Sequence, residues 1–182
     1  EDPVEYSISG INQVQVNTKA NMTFAVALRS ILRQDPNVIM IGEIRDEETA
    51  SIAIRSAITG HLVFSTLHTN DAPGAISRLS DMGVESYLVA DALEMVIAQR
   101  LVRRLCPECK RRVLSTPLQN QALGIDESVE IFEPKGCPAC HGTGYKGRIG
   151  IHEILVIDEH LRELIVNKKS NEELYEYLET KN

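Results

Sequence analysis

Val38-Ile39-Met40-Ile41 runs straight into Gly42-Glu43-Ile44-Arg45-Asp46, so a short apolar run delivers a carboxylate and then a guanidinium at its end. Four consecutive apolar residues behind the turn signal Asp35-Pro36-Asn37 predict a strand buried on both faces. Open α/β sheets bind ligands at the carboxyl ends of such strands, which makes nucleotide chemistry the first hypothesis. A carboxylate in that position can hold Mg²⁺, or a water beside it. The commoner pattern has Asp before Glu, and here Gly42 stands in that place. The bland alternative is a buried strand followed by an ordinary helix cap.

The surrounding pattern alternates strands with helices. Gln13-Val14-Gln15-Val16 alternates as a half-exposed strand would, and Asn21 or Thr23 can cap a helix whose Phe24, Leu28, Ile31 and Leu32 share one face. Arg29 and Arg33, four apart, lie together on a different face. Asp35-Pro36 stops that helix because the proline ring clashes with the preceding turn. Asp46 then caps a helix through Ala57 that Gly60 ends, Leu62 to Thr66 form another buried strand, and Asn70 or Asp71 caps a helix that Gly83 terminates. Short apolar strands joined through helices imply parallel pairing with right-handed crossovers. From Tyr87 to about Leu105, Leu88, Ala92, Met95 and Val96 fall on one face of an expected helix. Beyond Ile157, the spacing of Leu161, Leu164 and Ile165 and then of Leu174 and Leu178 gives two small helices.

Composition narrows the class. Apolar residues at 43% and charged residues at 25% are ordinary for a globular chain of 182 residues, long enough to bury a core. No apolar run approaches a bilayer span, and no basic segment followed by an apolar one opens the chain, so neither membrane insertion nor export by its own signal is expected. Nineteen Lys and Arg against 26 Asp and Glu, a net charge of −7, argue against a dedicated nucleic-acid binder. A local exception is Arg100-Leu101-Val102-Arg103-Arg104 with Lys110-Arg111-Arg112, read as a solvated basic edge or as a surface for an anionic partner.

All four cysteines fall in two pairs, Cys106-Pro107-Glu108-Cys109 and Cys137-Pro138-Ala139-Cys140. A C-x-x-C turn sets two sulfurs at the edge length of a Zn–S₄ tetrahedron, and the 27 residues between the pairs are closed at modest entropic cost. Glycines at 136, 142, 144 and 147 free the backbone around the second pair. Disulfides are an alternative, and Cys137 to His141 also satisfies the C-x-x-C-H haem-attachment pattern, which leaves Cys106 and Cys109 without a role. Four thiolates leave an ion no open position, so Zn²⁺ would be structural, and its binding would be one event with the folding of a small lobe.

Glu1-Asp2-Pro3-Val4-Glu5-Tyr6, the Val38–Asp46 run, and Gly60-His61-Leu62-Val63-Phe64-Ser65-Thr66-Leu67-His68-Thr69-Asn70 together resemble the Asp box, Walker B segment and His box of the secretion and type IV pilus ATPases. The paired cysteines resemble the metal subdomain of the secretion and pilus-assembly branches, which the retraction branch lacks. The resemblance covers Glu1 to about Ile165. It implies an α/β fold with a partial RecA-like core over 1–103, a tetracysteine zinc subdomain over 104–150 and a helical C-terminal segment over 151–182. It also implies ATP and Mg²⁺ as ligands, a homo-hexamer at the cytoplasmic face of the inner membrane, and membrane-embedded platform and assembly proteins as partners, with membrane contact only through them and no nucleic acid. By the same resemblance Glu5 orients the attacking water with Glu1 and Asp2 in support, and Glu43 holds Mg²⁺ directly or through water. Thr66 lies beside the nucleotide, His61 and His68 sense the γ-phosphate or couple subunits, and Arg29, Arg33 and Arg45 face phosphates or a subunit junction.

No G-x-x-x-x-G-K-[ST] occurs, and Gly142 to Gly147 is followed by Arg148 and Ile149. In the family that phosphate cradle lies upstream of the Asp box. The expectation is therefore the C-terminal part of a larger motor, ending short at Asn182, that binds ATP weakly and neither assembles stably nor turns it over by itself. The competing class is an autonomous zinc-binding interaction module whose nucleotide motifs are inactive.

Overall fold

The structure, a computed structural model, describes residues 1–180; Lys181 and Asn182, the end of the segment expected over 151–182, lie outside the described residues. The chain forms two compact units. One comprises Glu1–Ala98 and the segment from Glu153 onward, and the other is Gln99–His152.

In the first unit, Thr23 caps α1 (Phe24–Ile31) by accepting the Val26 N–H at 3.2 Å, and Ala25, Ala27 and Leu28 turn inward. A 3-10 turn follows and ends at Asp35, whose φ of 51° reverses the chain ahead of Pro36. Strand β1 (Val38–Ile41) then pairs in parallel with β2 (Leu62–Ser65), Val38 beside Leu62 and Ile41 beside Ser65. Between them runs α2 (Glu47–Ile58), capped by Asp46. This is the expected strand–helix–strand crossover. The expectation of burial on both faces is corrected: Ile39 and Ile41 are buried, whereas Val38, Met40, Leu62 and Phe64 are each more than half exposed. Those four share one side of the strand pair, so the core lies against the other side alone among the described residues.

Asp71 caps α3 (Ala72–Asp81), and Gly83 ends it with a φ of 88°, Glu47 standing where a Cβ would have to fit. Helix α4 (Ser86–Ala92) is shorter than expected. At Leu93 the chain turns extended, and β3 (Met95–Leu105) pairs with β6 (Tyr145–Val156). Leu88, Ala92, Met95 and Val96 fit a helical period. However, Val96, Ile97 and Val102 are β-branched, and a partner strand rich in Ile and Val supplies the ladder. Arg162 secures the break by donating to the carbonyl oxygens of Ala90 and Asp91 at the helix end. Gln13–Val16 is not a strand either among the described residues: it lies along Glu1, whose amine donates to the Val14 carbonyl at 2.8 Å and whose carbonyl accepts the Val16 N–H at 2.9 Å.

The two expected C-terminal helices are present as α6 (Glu159–Val166), capped by Asp158, and α7 (Asn171–Glu179), with a capping box between Ser170 and Glu173. Their Leu161, Ile165 and Leu174 join Leu28, Ile39, Ile41, Ile54, Ile76 and Leu155 in one aliphatic core.

The second unit is built differently. Strands β4 (Arg111–Leu114) and β5 (Glu130–Glu133) pair antiparallel, with α5 (Pro117–Leu123) between them under a Thr116–Gln119 capping box. Its buried cluster consists of Cys106, Cys109 and Cys140 with Cys137 against them. Gly144 is required where it stands, because a Cβ there would meet that of Pro134 at 2.4 Å. No helix of the described residues is long and apolar enough to cross a membrane.

Candidate nucleotide edge and metal centre

Parallel pairing sends the loops after β1 and β2 out of the same sheet edge. Thr66 clamps them together: its hydroxyl donates to the Gly42 carbonyl at 2.6 Å, and its own carbonyl accepts the Ile44 N–H at 3.0 Å. Glu43 projects from this clamp with its side chain 13% exposed, and one of its oxygens, Oε2, accepts Arg45 Nε at 2.5 Å and meets His68 Nε2 at 3.0 Å. The Arg45 hydrogen bond, opposed by partial desolvation and helped by His68, holds the Glu43 carboxyl below its ordinary range. Glu43 in turn raises Arg45, with a smaller contribution from Asp2. Glu1 closes the group from the chain start. Its Cα lies 3.4 Å from where a Cβ on Gly42 would stand, an ordinary contact, and Gln13 Nε2 donates to its carboxylate at 3.1 Å.

Glu1, Asp2, Glu43, Arg45, Thr66 and His68 are therefore drawn to one edge of the strand pair. The other expected residues are not part of this group. Glu5 is exposed, farther along the opening segment. His61 precedes β2 at the opposite, amino end of the strands, its Nδ1 3.0 Å from the Ser56 carbonyl oxygen. Arg29 on α1 is paired with Glu48 on α2 at 2.7 Å, and Arg33 is exposed in the 3-10 turn. The support beneath His68 was not legible: the buried Ala72 N–H donates to Glu153 Oε2 at 3.0 Å across 81 residues, and α7 packs on α3, where burial and the Asp71 carboxylate raise the Tyr175 phenol. A carboxylate and a phenol so far along the chain leave no local signal.

In the second unit the four cysteine sulfurs lie within 4.8 Å of one another. Cys106 and Cys137 are 3.9 Å apart, Cys109 and Cys140 3.8 Å, and Cys137 and Cys140 3.8 Å. A tetrahedron with Zn–S bonds of about 2.3 Å has edges of about 3.8 Å. A disulfide needs about 2.05 Å, and all four cysteines are free thiols. Burial pushes the Cys109 thiol up to about 11. Burial pushes Cys140 up, but the N–H groups of Cys137 and Gly144, each 3.2 Å from its sulfur, together with the neighbouring Cys137 and Cys109 thiols, outweigh it and bring that thiol down to about 6. The donor set, spacing and oriented amides fit a tetrahedral cation.

Comparison with known proteins adds the family. The family model described as "Type II/IV secretion system protein" matches residues 1–182. "Type II secretion system protein E" of Pseudomonas aeruginosa is 52% identical over 99% of this chain and 36% of its own length. "Type IV pilus assembly ATPase PilB" of Thermus thermophilus is 55% identical over 97% of this chain and 20% of its own. Among solved structures, that of the pilus retraction motor PilT with bound ADP is similar at a TM-score of 0.70 and 30% identity, covering 99% of this chain and 43% of that one. The chain thus spans about a third, or less, of the length of these curated relatives.

Proposed function

Because this chain belongs to the type II/IV secretion system protein family, we propose that it is the C-terminal part of a hexameric, ATP-hydrolysing motor that powers type II secretion or type IV pilus assembly. The observation that carries this reading is the shared Glu43 oxygen, with Arg45 on one side and His68 on the other, at the carboxyl edge of a parallel strand pair. Phosphoryl transfer to water asks a protein mainly to place a nucleophile and to meet negative charge. Glu43 is suited to hold Mg²⁺ directly or through water, and Mg²⁺ when bound would offset phosphate charge. Arg45 and His68 face the same space as donors, and Thr66 keeps the two loops in register. Glu1 and Asp2 bring further carboxylates from the chain start, and we assign Glu5 to orient the attacking water once nucleotide is enclosed. His61, Arg29 and Arg33, outside this group, are assigned to the junction between subunits.

We read Gln99–His152 as the zinc lobe, slightly wider than the 104–150 of the sequence boundaries. Cys106, Cys109, Cys137 and Cys140 would hold Zn²⁺ with no position left for substrate, a structural role. The motor would work at the cytoplasmic face of the inner membrane through platform and assembly proteins. This chain by itself, with no P-loop in its sequence, should be inactive.

The test joins this chain to an upstream segment carrying a P-loop and compares ATP hydrolysis with that of Glu43→Gln. We expect a fall of roughly 10²-fold or more. An inert extended protein, or an unchanged rate in the variant, returns the chain to the alternative of an autonomous zinc-binding module.

A further inference from the structure

His68 meets Glu43, yet its side chain is 83% exposed, so packing does not hold the imidazole in place. Its position is inherited from the loop that carries it. On one side the loop begins at Thr66, fixed to Gly42. On the other it ends at the first turn of α3, where Thr69 Oγ1 donates to the Asp71 carbonyl at 3.1 Å and Asp71 Oδ1 accepts the Gly74 N–H at 2.8 Å. That second anchor is itself held from far along the chain. The Ala72 N–H is fully buried and needs an acceptor, which Glu153 of β6 supplies at 3.0 Å, while α7 packs against α3 and brings in the Tyr175 phenol, whose pKa burial and the Asp71 carboxylate raise. Two carboxylates at one helix start complement its dipole but repel each other, and the phenol's proton relieves part of that repulsion.

We infer that Tyr175 and Glu153 are positioning residues for His68, setting through Asp71 and the amino end of α3 the loop that presents the imidazole to Glu43. The inference rests on the motor reading for its effect on rate. It links the C-terminal helix to the nucleotide edge, so that whatever displaces α7 alters the hand of His68.

Two measurements on the full-length motor test it: steady-state ATP hydrolysis, and amide exchange in Leu67–Ala72 compared with β1 and β2. Tyr175→Phe should lower kcat about fivefold with KM for ATP within twofold, and should speed exchange in Leu67–Ala72 at least tenfold while β1 and β2 keep wild-type protection. Glu153→Ala should do the same more strongly, and Glu153→Gln, which keeps an acceptor for Ala72, should recover most of the loss. Wild-type exchange in Leu67–Ala72 for Tyr175→Phe, or acceleration spread equally over β1 and β2, would overturn the positioning role, as would a lost rate carried by KM alone. If the wild-type motor hydrolyses no ATP, the motor reading fails while exchange still decides whether this brace exists.

Discussion

The two units of this chain solve the same problem by different means. The first packs helices against one face of a parallel strand pair and buries a continuous aliphatic core from Leu28 to Leu174. The second, Gln99–His152, buries little except sulfur. Their charges differ as well: nine Lys and Arg against five Asp and Glu in the second, ten against twenty-one in the rest of the chain. A core of that size folds by removing apolar surface from water, whereas a unit whose centre is four thiols would gain its stability from the proposed ion taking their protons' place. The contrast assigns each unit its own point of failure.

Removing the proposed zinc ion should have the largest effect, and on one unit alone. Metal binding to four cysteines contributes on the order of 10 kcal/mol in small zinc lobes, more than such a lobe could recover from packing. Chelation or Cys137→Ser should abolish a one-to-one zinc content by elemental analysis and expose the amides of Gln99–His152 to exchange, leaving those around Ile39, Ile41 and Ala50 protected. A second unit that stays protected without metal would break the comparison, and a Soret absorption would replace zinc with haem. Next in size is Leu161→Ala, which empties a fully buried site in the aliphatic core. It should cost about 2–5 kcal/mol of the first unit's unfolding free energy in denaturant titration and leave zinc content unchanged.

What the sequence made legible divides along a related line. Features fixed within a few residues were readable: the Asp46 and Asp71 caps, the break at Asp35-Pro36, the parallel strands at Val38 and Leu62, and the C-x-x-C turns. Glu43 and His68 were readable as members of motifs, but their meeting across 25 residues needed the fold. The passage from α4 to β3 was misread because Leu88, Ala92, Met95 and Val96 satisfy a helical period, and only the partner strand β6 decides otherwise. One apolar run cannot say how many faces of its strand are covered, so Val38 and Met40 were wrongly placed inside. His61 and His68 look equivalent on paper, and a strand only four residues long separates them to opposite ends. Glu153 and Tyr175 carry no motif at all.

A smaller perturbation, applied equally to both units, sharpens the comparison. Asp46 caps α2 through the Thr49 N–H at 2.8 Å and also accepts the Thr49 hydroxyl at 3.0 Å, while Thr116 caps α5 through the Gln119 N–H at 3.3 Å. Asp46→Ala and Thr116→Ala should each cost about 1 kcal/mol locally. In the first unit that loss should appear as a lowered unfolding midpoint for the whole aliphatic core. In the second, with zinc bound, it should appear as faster exchange within α5 while the metal stays in place. Equal midpoint shifts for both variants would mean that the two units unfold as one.

The smallest expected effect is a matter of sign. Burial and the Asp71 carboxylate, with the nearby charge of Glu153, push the Tyr175 phenol up to about 12. A group whose folded value lies above its unfolded value of about 10 stabilises the fold while it keeps its proton, fully below pH 10, and that contribution disappears as pH rises through 12. The first unit should therefore lose a modest increment of stability between those limits, and Tyr175→Phe should flatten that stretch of its pH profile. Thiol groups respond in the opposite sense, since protons compete with a metal ion for sulfur and alkali removes the competitor. Denaturant titrations across this range, with phenolate absorbance recorded alongside, should show the first unit weakening as one tyrosine ionises late while zinc remains bound. A Tyr175→Phe protein with the same alkaline slope as wild type would remove the phenol from the brace at Asp71.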